Sequence, residues 1–118
     1  MILLKRVYES ASPEDGFRIL VERLWPRGLS KQAAHIDLWL KDISPSPELR
    51  KWYSHEVSKW VEFQKRYRAE LGANPALSQL RSLLREKGTV AFVYAARDEE
   101  HNSARVLKEF LEGNVRSK

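Results

Sequence analysis

The chain predicts a single α/β domain: one small layered sheet, its strands at least partly parallel, flanked by helices. Three observations predict it. Residues 89–95, Thr-Val-Ala-Phe-Val-Tyr-Ala, are an unbroken apolar run between Gly88 and Arg97, and a strand apolar on both faces suits the centre of a parallel sheet covered by helices. Several stretches repeat apolar residues every three or four positions, as amphipathic helices do. The order is strand, strand, a block of helices, strand and helix, which is that of a layered α/β domain. At 118 residues the chain is the size of one such domain, spanning 1–118.

The elements follow in order. Residues 2–8 and 17–24 are rich in branched apolar residues and read as strands, with the turn-like Ser12-Pro13-Glu14-Asp15-Gly16 between them. That link is short for a crossover, so a hairpin between the two strands stands as an alternative to a parallel arrangement. Residues 25–45 are the least regular part of the chain, and a small domain seldom gives so many residues to irregular structure without a reason. Ser46-Pro47-Glu48 is a helix start, with a cap, a proline in the first turn and an acid near the positive end of the dipole. Val57, Trp60, Phe63, Tyr67 and Leu71 then form one apolar stripe that Gly72 ends. A third helix has Asn74 as cap and Pro75 in its first position, with Leu77, Leu80 and Leu84 facing inward. The last runs from about Asn102 to Glu112, closed by Gly113.

Composition narrows the function classes. Hydrophobic residues make up 42% and charged residues 31% of the chain, a globular rather than disordered balance. With no cysteine, disulfides, thiolate nucleophiles and zinc–thiolate clusters are excluded. The three histidines have no metal-ligand spacing, so neither metal nor other cofactor is expected. The opening apolar run is too short for a signal peptide, and nothing approaches the roughly 20 apolar residues of a membrane span. A cytoplasmic protein without a membrane partner is the simplest expectation. The net charge of +5 is diffuse, with 10 basic and 8 acidic residues in 1–59 and 11 and 8 in 60–118. Such a surplus describes a solvated surface better than a nucleic-acid face.

Two segments could carry chemistry. Arg23-Leu-Trp-Pro-Arg-Gly-Leu-Ser-Lys31 leaves the second strand directly. Pro26 stiffens the exit, Gly28 permits a positive φ, Ser30 can cap a short helix, and Arg23, Arg27 and Lys31 surround free backbone N–H groups. Phosphate and carboxylate sites are commonly built this way. The plainer alternative is a rigid corner in which Trp25 plugs the core and the cations face water. The second segment, Ala96 to Ser103, leaves the apolar strand with Arg97, His101 and the potential caps Asn102 and Ser103. If the two strands are parallel, both loops emerge at the same sheet edge, where open α/β folds bind ligands. His55, His101 and His35 can act as acids or bases near neutral pH. No P-loop, dinucleotide fingerprint or G-x-S-x-G elbow is present.

The string Leu20-Val21-Glu22-Arg23-Leu24-Trp25-Pro26-Arg27-Gly28 with Lys31, together with Lys5-Arg6-Val7-Tyr8, Glu48-Leu49-Arg50-Lys51-Trp52, His55, Val93-Tyr94-Ala95-Ala96 and His101-Asn102, resembles the YeaO-like branch of domain-of-unknown-function family 488. The resemblance spans nearly the whole chain. Glu22 stands where that family more often carries aspartate. The resemblance implies a small α/β fold in a bacterial or archaeal cytoplasmic protein, supplies no reaction, and raises His55 above His35 as a candidate.

The leading expectation is a cationic pocket for a phosphate-bearing or nucleotide-like small molecule, in a binding domain or a small enzyme. Arg23, Arg27, Lys31, Arg97 and Asn102 would hold the anion, His55 or His101 would move protons, and Glu22 would orient an arginine or serve as base. A nucleic-acid-binding module is the alternative, resting on Arg50-Lys51-Trp52-Tyr53 and Lys65-Arg66-Tyr67-Arg68. A purely structural or partner-binding role is the third, favoured by an exposed apolar patch around Trp39 or Trp60. The sequence leaves the oligomeric state open.

Overall fold

A computed structural model describes residues 1–113. Four parallel strands form one sheet in the order β1-β4-β2-β3: β1 (Ile2–Arg6), β2 (Phe17–Leu20), β3 (Leu38–Trp39) and β4 (Val90–Tyr94). The helices are α1 (Lys31–Ala34), α2 (Pro47–Tyr53), α3 (Trp60–Gly72), α4 (Ala76–Lys87) and α5 (Ser103–Gly113). The apolar run of 89–95 is the central strand, with all five β4 residues buried. It pairs Val90 with both Ile2 and Phe17, and Val93 with both Lys5 and Leu20. The hairpin alternative is therefore wrong, because β4 lies between β1 and β2 and bonds to each.

Alternation along the strands divides the core in two. Val90, Phe92 and Tyr94 face a large core with Leu49, Phe63, Tyr67, Leu80 and Leu107, supplied by α2–α5. Ala91, Val93 and Leu20 face a smaller one with Val7 and Ala34, closed by Trp25, Leu29, Ile36 and Trp39. The irregular stretch 25–45 thus has a structural use: with α1 and β3 it covers the second face of the sheet.

Helix boundaries follow the side chains expected to set them. The Ser46 hydroxyl accepts the Leu49 N–H, and Ser30 accepts from Ala33 at the start of α1. The Asn74 side chain accepts the Ala76 N–H, so its capping role holds although Pro75 sits just outside α4. The stripe beginning at Val57 is broken: 57–59 form a 3-10 turn, and the α-helix starts at Trp60. Strands 2–8 and 17–24 are shorter than expected, although the Val7 and Val21 N–H groups continue the ladder onto Tyr94 and Val93.

The link before β2 is held by ions. Asp15 and Arg18 are buried, with an Nη1–Oδ2 distance of 2.6 Å, and Lys5 Nζ lies 3.0 Å from the other oxygen of Asp15. Arg18 also donates to the carbonyls of His35 and Ala34, fastening the end of α1 to the sheet. Gly16 has φ +69°, and a Cβ there would stand 2.2 Å from the Thr89 carbonyl oxygen. Only glycine fits both the left-handed conformation and that approach.

Candidate functional site

The strands are parallel, so the segments after β1, β2 and β4 leave the same edge of the sheet. A cavity of about 380 Å³ opens there. Tyr8 comes from the β1 exit, Glu22 and Leu24–Arg27 from the β2 exit, Ala95 and Ala96 from the β4 exit, and His101–Ser103 from the start of α5. The far wall is brought by the helical layer: Arg50 and Tyr53 of α2, His55 just beyond it, and Phe63 of α3. Sheet edges of this kind are where open α/β folds hold ligands.

The β2 exit is rigid. The indole N–H of Trp25 donates to the Leu29 carbonyl at 2.7 Å, and that of Trp39 to the Glu22 carbonyl at 2.7 Å. The two rings meet edge to face with centroids 5.4 Å apart. Gly28 takes the expected positive φ, +77°. The Tyr8 hydroxyl donates to the Arg27 carbonyl. Held by its backbone, Arg27 is exposed, and its side chain has no partner among the described residues.

Glu22 is the carboxylate of the cavity. One oxygen accepts the Ala95 N–H at 2.9 Å, while the other has no hydrogen-bond partner among the described residues. Burial raises its pKa above the ordinary glutamate value, against the Ala95 N–H and the nearby charges of Arg50 and His55, which lower it. Arg50 is exposed and, among the described residues, makes no ion pair or hydrogen bond through its side chain. The hydroxyl of Tyr53, a residue 6% exposed, is buried without a hydrogen-bond partner among the described residues. Its pKa is raised by burial and by Asp98.

His55 is presented by an unusual backbone. Ser54 and His55 both have positive φ, +48° and +58°. Ser54 ends α2 by donating its N–H to the Arg50 carbonyl, a left-handed cap normally given to glycine. A second left-handed residue turns the chain again and puts His55 on the cavity wall. Non-glycine residues in this region cost about 1–2 kcal/mol each, and such strain clusters at functional sites.

The loop after β4 is closed on itself. The Asp98 carboxylate accepts from the N–H groups of Glu100 and His101 and lies 2.9 Å from His101 Nδ1. The Glu100 N–H is the largest influence lowering the Asp98 pKa, with His101 adding to it. This contact orients the imidazole, whose Nε2 has no hydrogen-bond partner among the described residues. The ring also packs edge-on against Trp60 at 5.1 Å.

The expected site residues therefore separate. Glu22, Arg27, His55, His101 and Asn102 share the cavity. Asn102 is there as a helix cap, accepting from the Arg105 N–H and donating to the Asp98 carbonyl. Arg97 emerges at the same sheet edge but lines an adjoining hollow with Asp98; Tyr53, His55, Ala96 and His101 form walls of both hollows. Arg23 turns away, donating to the Ser44 and Pro45 carbonyls at 3.2 Å. Lys31 is the first residue of α1, exposed and off the cavity wall. Arg50 and Tyr53 entered the sequence reading only through the nucleic-acid alternative, because helical spacing assigns them to α2 without saying what that helix meets. Tyr67 and Tyr53, two of the aromatics in the nucleic-acid reading, are 1% and 6% exposed. Trp39 and Trp60 are half-buried. Among the described residues, no helix is long and apolar enough to cross a membrane, and no three His, Asp or Glu side chains group as a metal site would require.

Comparison with known proteins agrees with these motifs. The model of a family described as "Inactive DUF488-N3 subclade" matches residues 1–118. The uncharacterized protein Rv3073c of Mycobacterium tuberculosis strain H37Rv is 41% identical over 112 residues, which cover 95% of this chain and 94% of the relative. The uncharacterized protein YeaO of Escherichia coli strain K12 is 40% identical over 110 residues, 93% of this chain and 96% of the relative. No solved structure matches the chain. Since the family match runs the whole length and these relatives are covered almost end to end, the chain belongs to the DUF488 family, in its YeaO-like group.

Proposed function

We propose that this protein is a binding domain for a phosphate-bearing small molecule, held in the cavity at the carboxyl edge of the sheet. The observation that carries the reading is that Arg27 and Arg50, arriving from separate elements, line one concave site with no partner for either guanidinium among the described residues. Arginine forks suit phosphate because they offer two parallel N–H donors. His55 and His101 stand on the same wall and add donors there when their rings are protonated. Arg97 extends the positive character into the adjoining hollow. The cavity volume falls within the roughly 300–1,000 Å³ typical of small-ligand sites.

Binding rather than turnover is favoured by the word "inactive" in the description of the matching subclade. The nucleic-acid alternative rests on the net charge of +5 and loses the support of its buried aromatics. A ligand that binds only the folded state raises apparent stability by about 2.7 kcal/mol at one hundred times its Kd. The test is the melting temperature of the full chain against orthophosphate, sugar phosphates and nucleotides at millimolar concentration. A rise for phosphate-bearing compounds, reduced in Arg27→Ala and in Arg50→Ala, is expected. No rise with any of them overturns the reading.

A further inference from the structure

The hydroxyl of Tyr53 is a donor that the fold does not use. It is buried, on a residue itself almost wholly buried, and has no hydrogen-bond partner among the described residues. A buried polar group left unmet costs free energy, and phenylalanine would supply the same ring without that cost. The ring is already well packed, stacked on Phe63 with centroids 4.3 Å apart, and the hydroxyl adds nothing to that contact. Tyr53 lines both the main cavity and the adjoining hollow. Burial and then Asp98 raise its pKa, so the hydroxyl end stands within the field of the loop that opens α5.

The start of α5 brings a second set of unmet donors to the same wall, where His101, Asn102 and Ser103 line the cavity. Asn102 accepts the Arg105 N–H through its side chain and the Val106 N–H through its carbonyl. The Ser103 and Ala104 N–H groups open an 11-residue helix and have no partner among the described residues. Such N–H groups, with the positive end of the helix dipole behind them, bind phosphate. The acids of this wall are partly met. Asp98 accepts from the Glu100 and His101 N–H groups and lies against the His101 ring. Glu22 accepts the Ala95 N–H, and Arg50 and His55 are near enough to act on its charge.

We infer that the start of α5 and the Tyr53 hydroxyl form the seat of a terminal phosphate, whose charge Arg27 and Arg50 neutralise; this rests on the phosphate-binding reading of the same cavity. A terminal phosphate carries about −1.5 to −2 charges at neutral pH, whereas a diester carries a single one. A helix start and two guanidinium groups without partners among the described residues favour the more highly charged group. Tyr53, its pKa raised, keeps its proton at neutral pH and donates it to a phosphate oxygen.

The test is calorimetric titration of the full chain with orthophosphate, phenyl phosphate and the diester methyl phenyl phosphate. Phenyl phosphate is expected to bind more tightly than the diester. Tyr53→Phe should weaken phenyl phosphate binding about tenfold, as the loss of one hydrogen bond to a charged group implies, with no drop in the urea midpoint. Proline in the first position of a helix is tolerated but has no N–H, so Ser103→Pro should bind more weakly than Ser103→Ala. Native affinity in Tyr53→Phe, or equal affinity in the two Ser103 variants, overturns the inference; the phosphate reading survives that result if Arg27→Ala still weakens binding. A lowered midpoint in Tyr53→Phe assigns the hydroxyl to the fold and overturns the inference as well. A diester bound as tightly as phenyl phosphate overturns the terminal group. Absence of binding by all three compounds overturns both the inference and the reading beneath it.

Discussion

Asp15 stands two residues before β2 and Glu22 two residues after it, both drawn away from solvent, and their surroundings could hardly differ more. Asp15 is surrounded by donors: the Ser12 N–H, Lys5 and Arg18. Burial alone would raise its pKa, but these partners outweigh burial and hold it below the ordinary aspartate value. Glu22 has one backbone N–H, and burial wins. The first carboxylate is saturated and fastens α1 and β1 to β2. The second is left partly unmet inside a cavity. A buried charge with all its partners belongs to the architecture, whereas the half-buried Glu22, with one oxygen open to the cavity, lies where the proposed ligand would sit.

The largest test of this contrast is Asp15→Ala. It strands the buried Arg18, and breaking a buried pair costs about 3–5 kcal/mol, read as a lower midpoint in urea. Glu22→Gln, by contrast, keeps an acceptor for Ala95 and leaves the midpoint nearly unchanged. A small loss at Asp15 together with a large one at Glu22 would reverse the assignment of roles.

Acid sharpens the comparison. The Asp15 pKa is depressed from 3.8, so its stabilisation is present above that value and disappears as pH falls through the lower folded value. The Glu22 pKa is raised from 4.5, so its penalty is absent below 4.5 and grows as pH rises through the folded value. Stability measured against pH is expected to fall less on acidification in Asp15→Asn. In Glu22→Gln it should lose less as pH rises from 4.5.

Two smaller effects concern the cavity wall. Tyr53→Phe removes a buried hydroxyl that has no partner among the described residues, so the protein is expected to be unchanged or stabilised by up to about 1 kcal/mol, with ligand response weakened. His55→Gly relieves one left-handed residue and should gain up to about 1 kcal/mol, again at the expense of ligand response. A destabilised Tyr53→Phe would show that its hydroxyl serves the fold.

Much of the frame was legible locally. The apolar run of β4, the caps at Ser30, Ser46 and Asn102, and the positive φ of Gly28 each follow from a few neighbouring residues. Strand order was not legible, because β4 meets β1 across 88 residues of sequence, as in the pairing of Ile2 with Val90, and no local pattern encodes that meeting. Arg23 and Arg27 looked equivalent in the string. They differ because the carbonyls of Ser44 and Pro45 lie within reach of only the first. Arg50 and Tyr53 join the site through the docking of α2, and a period of 3.6 residues identifies a helical face without saying what it meets.

The position of β4 between β1 and β2 has a consequence during synthesis. When the first 88 residues have left the ribosome, β1 has no strand beside it and β2 has only the two-residue β3. Non-local pairing of this kind forms slowly and exposes strand edges meanwhile. The nascent chain must therefore keep two apolar strands apart from other chains until Val90–Tyr94 emerges, and any truncation before that point leaves β1 unpaired and the sheet reduced to β2 and the short β3.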